Sequence, residues 1–128
     1  MFTLRSIDYV ILGKYMILML FIIAGALNMV PRRAQDHIDR IAAFGLPWPA
    51  QVFWGGMLMQ AAGCLMLIVQ WNARWGICLL IAFTVLAGGI FHRFWLVQDP
   101  QRRQMLRIGL LNNCAVVGGL VLLLGQTP

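Results

Sequence analysis

The chain contains 128 residues, of which 61% are hydrophobic and 11% are charged, and its formal net charge is +6. Soluble domains have roughly 45–50% apolar and about 25% charged residues, so this composition indicates a membrane protein and excludes an ordinary soluble domain. The positive charge does not indicate nucleic-acid binding, because the basic residues lie between apolar blocks and lack the interleaved aromatic residues of such a surface.

Four apolar blocks predict four membrane-spanning helices, numbered here as spans 1 to 4. They cover residues 10–30, 52–71, 75–96 and 105–125. About 20 helical residues cross a hydrocarbon core of roughly 30 Å, so each block is long enough to span. Short links between spans 2, 3 and 4 predict antiparallel neighbours. We therefore predict an all-α integral membrane four-helix bundle that forms a single domain over residues 1–128.

The link between spans 1 and 2 is too polar to span but contains a short amphipathic pattern. Its apolar residues at helical spacing are Ala34, Ile38, Ile41 and Ala42. We predict an interfacial helix over about residues 34–44, with Asp36 and Arg40 paired one turn apart and Gly45 as its C-cap.

The arginines predict the orientation of the bundle. With four spans, the 31–51 and 97–104 loops share one side, whose basic residues are Arg32, Arg33, Arg40, Arg93, Arg102, Arg103 and Arg107. The opposite side has Arg5, Lys14 and Arg74. The positive-inside rule then predicts that these loops face the cytoplasm and that both termini lie on the opposite side of the membrane.

Several polar residues fall inside the spans, and most lie in the leaflet on the loop side. They are Asn28, His92, Arg93, Arg107, Asn112 and Asn113, with Gln60 near the middle of span 2. Intramembrane polar groups usually face a cavity or a partner. One interpretation is a polar pocket that binds a ligand; the other, more common in membrane bundles, is that these side chains hydrogen-bond the helices together.

His92 has the same two interpretations. It is either an interfacial histidine held by the backbone or Asn113, or a hydrogen-bond donor to a quinone carbonyl or a proton relay. Arg93 should point about 100° away around the helix, toward headgroups or a partner. Haem ligation would require a ligand from a partner, because His37 belongs to the surface helix.

Motifs for autonomous catalysis are absent from the sequence. The cysteines at 64, 78 and 114 lie on three different spans without a CxxC spacing, and the carboxylates are all terminal or in loops. We therefore predict no metal site. Small residues instead indicate helix contacts: Gly88 lies on a stripe with Thr84 and His92, and in span 4 the pairs Ala115/Gly119 and Cys114/Gly118 are four apart.

Five motifs in order along the chain carry a resemblance to a known family. They are "GALN" ending span 1, "GLPWP" before span 2, "QAAGCLML" inside it, "FHRFW" ending span 3 and "NNCAVVGGLVLLL" in span 4. This pattern, over about residues 15–125, resembles the DoxX family. The resemblance implies a small four-helix bacterial inner-membrane protein that associates with membrane oxidoreductase complexes, including quinone-linked thiosulfate oxidation.

The resemblance also implies which residues belong to a site. His92, Trp95 and Asn113 match polar or aromatic motif positions, and Gly118 with Gly119 matches a glycine pair. Two residues depart from the pattern: Gln60 stands where Glu is frequent and Asn28 where Lys is frequent, which weakens an inherited ion-pair or proton-transfer mechanism. The candidate residues for a quinone or lipid pocket are His92, Asn113, Gln60, Asn28 and Trp95.

The sequence thus favours an accessory subunit of a larger membrane redox complex that contacts partner subunits and lipids. It would bind no cofactor alone, with a quinone held at a shared site. One alternative is a small oligomeric transporter or lipid-modulating protein that uses Gln60, His92 and Asn113. Another is a subunit that contributes residues directly to electron transfer.

Overall fold

The structure is a computed structural model that describes residues 6–128 and is helical throughout its regular segments. Its helices are α1 (Ser6–Asn28), α2 (Pro31–Phe44), α3 (Pro49–Val69), α4 (Ala73–Phe91) and α5 (Pro100–Gly125), with a 3₁₀ turn at Phe94–Leu96. The helices α1, α3, α4 and α5 are long and apolar enough to cross a membrane, and they correspond to spans 1 to 4. The all-α four-span fold is therefore confirmed. Arg5, used in the orientation argument, lies outside the described residues.

The largest differences from the predicted spans, of five residues each, are at two helix boundaries. The helix α4 ends at Phe91 rather than near residue 96, because His92 leaves the helical conformation with φ −114° and ψ 39°. The helix α5 begins at Pro100, five residues before the predicted start at 105. Proline is well suited to the first turn of a helix. The polar residues that follow Pro100 therefore belong to α5 although they are not part of the apolar block. Hydropathy predicts only the apolar part of a helix, whereas α5 also includes the polar residues before it.

The four spanning helices form a ring in which each packs against two neighbours. Around the ring the order is α1, α3, α4, α5 and back to α1. A tight turn joins α3 to α4 through Gln70 and Asn72, which adopt left-handed conformations with φ 60° and 48°. Short connections of this kind make consecutive helices antiparallel neighbours.

The centre of the ring is closely packed and apolar. Side chains from all four helices are fully buried there: Leu18, Leu67, Ile77, Leu80 and Leu120. The outward faces are apolar as well, and only 17% of the most apolar window of α1 and 11% of that of α5 are buried. Such faces are suited to lipid or to partner helices.

The predicted short helix between spans 1 and 2 is confirmed as α2, which begins three residues before the expected start at residue 34. Ala34 and Ile41 are buried on its inner face, where they pack with Phe53 and Met57 of α3. Its charged face carries the predicted ion pair, in which Arg40 Nη2 lies 3.2 Å from Asp36 Oδ2. Gly45 ends the helix at φ 103°, a conformation that favours glycine, and its N–H donates to Ala42 O.

The two ends of the bundle are distinct. At one end α2 covers the junction of α3 and α4, and the His37 ring lies 4.9 Å from the Phe91 ring. At the other end Arg74 Nη1 donates to the carbonyl oxygens of Leu124 and Thr127, at 3.2 and 2.8 Å. The long loops therefore share one end and the C-terminus shares the other with the α3–α4 turn. The side of the membrane that each end faces stays a prediction.

Candidate functional site

His37 lies at the centre of the polar cluster beneath α2, although the sequence does not select it as a site residue. Its ring stacks on Phe53 at 5.8 Å with an interplanar angle of 16°, and Phe91 meets it edge-on. Its Nε2 lies 3.1 Å from Asn28 Oδ1, and because an amide oxygen only accepts, Nε2 carries the proton. The signal available in the sequence was its spacing from Ala34 and Ile41, which places it on the inner face of α2.

The second imidazole nitrogen of His37 is also enclosed. Nδ1 is buried, and within the described residues it has no hydrogen-bond partner. Burial lowers the pKa of His37, and the nearby positive charge of Arg40 lowers it further, whereas Asp36 acts in the opposite direction. Burial and the nearby arginine thus both favour the neutral form of the His37 ring.

His92 follows the last residue of α4 and packs against α5. Its backbone N–H donates to Gly88 O, and its ring occupies the space that a side chain at Gly109 would need, since a Cβ built there would lie 2.7 Å from ring atoms Nδ1 and Cε1. His92 Nδ1 is buried without a hydrogen-bond partner in the described part of the chain. Burial, and secondarily Arg40, lowers the pKa of His92.

Asn113 lines the same contact between α4 and α5 but is one helical turn deeper than His92. Its Nδ2 lies 3.5 Å from the position of a Cβ at Gly88, whereas His92 faces Gly109. Among the described residues no hydrogen bond joins His92 to Asn113. The expected pairing of these two side chains is therefore corrected to two successive contacts along one helix interface.

Gln60 is buried in the middle of the bundle and joins two helices. Its Nε2 donates to the carbonyl oxygen of Phe21 in α1, and its amide lies against Gly25, where a Cβ would meet it at 2.7 Å. This contact agrees with the interpretation in which the polar side chains hydrogen-bond the helices together. It lies between α1 and α3, away from the α4–α5 contact of His92 and Asn113, so the structure does not assemble these three residues around one pocket.

The remaining candidates near the loop side have separate positions. Asn28 ends α1 and joins the His37 cluster. Trp95 lies on the 3₁₀ turn with 54% of its surface exposed. Arg93 was expected to reach headgroups or a partner, but its guanidinium lies over the Phe44 ring of α2 at 4.3 Å from the ring centre. This contact fastens the end of α2 to the chain after α4.

The selected small residues have different surroundings. Gly88 is buried at the α4–α5 contact, and a Cβ at Gly119 would lie 3.4 Å from Ile17 Cδ1 of α1. Ala115 and Gly118 are exposed, and a Cβ at Gly118 would meet nothing within 4 Å. Gly88 and Gly119 thus serve contacts inside the bundle, whereas Ala115 and Gly118 lie on its outer surface.

A close approach of the α3 and α4 backbones involves two glycines that the sequence does not single out. A Cβ at Gly63 in α3 would lie 3.0 Å from Gly76 O in α4, and a Cβ at Gly76 would lie 3.0 Å from Gly63 O. The two residues are reciprocal across the interface. In the sequence they are thirteen residues apart on either side of a turn, which was a usable signal because such positions face each other in a helical hairpin.

Cysteine and metal chemistry have no assembled site in the described part of the chain. Cys64 is buried, Cys78 and Cys114 are exposed, and all three are free thiols. Within residues 6–128, no three histidine, cysteine or carboxylate side chains lie close enough together to hold a metal ion.

The fold and these contacts define a multi-pass membrane protein whose four spans carry a covering helix at one end. Comparisons of the chain with protein-family models, with characterised proteins and with solved structures found no match.

Proposed function

We propose that this protein is an accessory subunit of a larger bacterial inner-membrane redox complex, which it stabilises by packing its outer helix α5 against a partner subunit. The observation that carries the proposal is the exposure of the Asn112 side chain on the outer surface of α5. This residue is exposed on α5, and it has no hydrogen bond to any other described residue.

The depth of Asn112 makes this exposure significant. It lies seven residues after Met105, where the apolar part of α5 begins, which corresponds to about 10 Å along the helix. An amide at that depth has no water to bond and is unfavourable against lipid. A polar group on a partner helix would satisfy it.

The surface around Asn112 has the composition of a helix-docking face. Ala115 and Gly118 follow it at spacings of three and six residues and are likewise exposed. Small residues let a second helix approach closely, and an amide beside them supplies a directional bond. The low burial of α5 within the bundle supports the same use of this face.

The polar groups inside the bundle support a structural role over autonomous transport or catalysis. Gln60 is bonded to Phe21 O, and Asn28 is bonded to His37. Neither amide is directed at a cavity that also contains His92 and Asn113. A transport pathway built from Gln60, His92 and Asn113 within one copy would require these helix contacts to break.

The redox part of the proposal draws on the resemblance to the DoxX family. In that setting a quinone would bind at a surface shared with the partner, and His92 is the residue of this chain that would border it. Its half-buried ring at the end of α4 can donate one hydrogen bond to a quinone oxygen while neutral. The loop end would face the cytoplasm and both termini the periplasm.

The experiment is affinity purification of the chain from native membranes in mild detergent, followed by mass spectrometry, an absorption spectrum and quinone extraction. We expect co-purifying subunits that carry a redox group. Asn112→Leu should reduce their retention about threefold to thirtyfold, since an interhelical hydrogen bond in a membrane contributes about 0.6–2 kcal/mol. Gly118→Leu should also reduce it while leaving the bundle intact.

Gln104→Leu is the matched control, because Gln104 is an exposed amide on the same helix that precedes the apolar segment. It should retain the partner. Co-purifying subunits without redox groups would refute the redox assignment but not the accessory role. A homo-oligomer alone would favour the alternative of a small transporter or lipid-modulating protein, and a monomer unaffected by Asn112→Leu would overturn the proposal.

A further inference from the structure

An open cavity of about 770 Å³ lies along the charged residues of α2 and borders His37. Its lining includes three arginines, Arg32, Arg33 and Arg40, together with Gln35 and His37. The cavity lies at the loop end of the bundle, outside the apolar segments of the spans. The lining residues are all polar or charged, with three arginines against two aspartates, which suits a small anionic group more than a hydrophobic ligand.

The charges in this cavity are only partly neutralised within the chain. Arg40 pairs with Asp36 at 3.2 Å, and Asp39 Oδ1 accepts a hydrogen bond from Gln35 Nε2 at 2.9 Å. Arg32 and Arg33 are exposed and, in the described part of the chain, have no carboxylate within ion-pair distance. The two acidic residues of the lining are therefore engaged, and two guanidinium groups remain for a ligand.

The surface next to these arginines is apolar. The last residues before α2 expose large hydrophobic side chains: Leu27 is 50% exposed, Met29 48% and Val30 47%. Arg32 and Arg33 follow directly. A ligand that contacts both surfaces must combine an anionic head with an apolar body, which describes a phospholipid and does not describe free phosphate.

Aromatic side chains at the other end of α2 support its placement at the level of lipid headgroups. Phe44 is 39% exposed, and Trp48, in the connection to α3, is 73% exposed. Exposed tryptophan beside the end of a spanning helix is typical of the boundary between acyl chains and headgroups. The cavity thus opens at the depth where lipid phosphates lie.

We propose that Arg32 and Arg33 form a binding site for the phosphate headgroup of an anionic phospholipid, whose acyl chains lie along the exposed apolar end of α1. Each guanidinium can donate two parallel hydrogen bonds to phosphate oxygens. Arg40, paired with Asp36, also lines the cavity. The site is separate from the α5 face of the proposed function.

The test is native mass spectrometry of the full chain in mild detergent, titrated with short-chain phosphatidylglycerol. Phosphatidylethanolamine is titrated separately to test whether the headgroup charge is recognised. Inorganic phosphate is titrated to test whether a free anion binds as well as the lipid. The variants are Arg32→Gln, Arg33→Gln and the double variant. Arg102→Gln is the charge-matched control, because Arg102 is exposed on the same side of the bundle but outside the cavity.

We expect phosphatidylglycerol to bind in preference to phosphatidylethanolamine and to inorganic phosphate. Each single variant should weaken its binding about fivefold and the double variant about thirtyfold, as expected for about 1 kcal/mol per arginine near a membrane surface. Arg102→Gln should change binding less than twofold. The double lysine variant, Arg32→Lys with Arg33→Lys, should bind between wild type and the double glutamine variant.

Three outcomes would overturn the site. Equal weakening by Arg102→Gln would show a general effect of surface charge, and equal binding of phosphatidylethanolamine would show that the headgroup charge is not recognised. Loss of a co-purifying protein, with lipid binding unchanged, would assign the arginines to an acidic protein partner instead. A thermal unfolding scan of each variant confirms that the bundle is intact before binding is compared.

Discussion

The imidazole Nε2 of His37 lies 3.1 Å from Asn28 Oδ1 and joins the surface helix α2 to the end of the first span. This hydrogen bond fixes the tautomer of His37, since only the ring nitrogen can donate in it. The ring is at the same time enclosed by Phe53 and Phe91. The neutral form of the ring is favoured in this site, because its second nitrogen, Nδ1, is buried without a hydrogen-bond partner among the described residues.

The first prediction is that α2 docking weakens in mild acid. The pKa of His37 is lowered in the docked state from an ordinary value of 6.5, chiefly by burial and then by Arg40. Undocked His37 therefore takes up a proton first as the pH falls, and stability is full above about pH 6.5 and decreases below it. The charges that face the ring are Arg33, Asp36, Arg40 and, when protonated, His92.

Thermal unfolding in detergent between neutral pH and mild acid measures this effect. His37→Phe keeps an aromatic ring between Phe53 and Phe91 but cannot titrate, so its unfolding temperature should depend less on pH than that of the wild type. His92→Gln removes the other titratable histidine at this end of the bundle, so its pH profile shows how much of the pH dependence comes from His92. Identical pH profiles for His37→Phe and the wild type would contradict the role of His37.

The second prediction concerns Gln60. Replacing it by Leu removes the hydrogen bond to Phe21 O while keeping a side chain of similar size, so the bundle should lose about 1 kcal/mol of stability. Gln51→Leu, an exposed position in the first turn of the same helix, should have little effect. If Gln60→Leu left stability unchanged but abolished function in the complex, Gln60 would be a site residue and the tether would be unimportant.

The third prediction tests the close approach of α3 and α4. Gly63→Ala places a Cβ 2.9 Å from Leu80 Cγ and 3.0 Å from the Gly76 carbonyl oxygen, so it should destabilise the bundle by about 1–3 kcal/mol. Gly55→Ala is the control on the same helix, where a Cβ meets nothing within 4 Å. It should be neutral or stabilise by up to about 1 kcal/mol, because alanine is the better helix former. Equal unfolding temperatures for the two variants would contradict this packing.

The fourth prediction tests the contact between His92 and Gly109. Gly109→Ala should displace the His92 ring and lower stability by about 1–2 kcal/mol, because the added methyl group would lie 2.7 Å from ring atoms. In a His92→Ala background the same substitution should cost almost nothing, since the obstructing ring is gone. Gly118→Ala, with open space around it, controls for alanine in α5. Additive effects in the double variant would show that His92 and Gly109 are not in contact.

The sequence by itself determined the class and course of this fold. The four apolar blocks, the amphipathic spacing of Ala34 and Ile41, and the glycine at position 45 depend on local properties of the chain. Burial in lipid follows from hydropathy, and a helix end follows from the conformational freedom of glycine, so neither requires knowledge of distant residues. The same is true of the ion pair between Asp36 and Arg40, which one helical turn brings together.

Only the tertiary structure decided which polar side chains meet. Gln60 could have faced His92 and Asn113, but the order of helices around the ring turns it toward Phe21. His37 has the pattern of a half-buried surface residue, and its enclosure by Asn28, Phe53 and Phe91 arises because α2 folds back over the ends of three spans. The rotation of each helix about its axis depends on the packing of all its neighbours at once. The local sequence of one helix therefore does not specify that rotation.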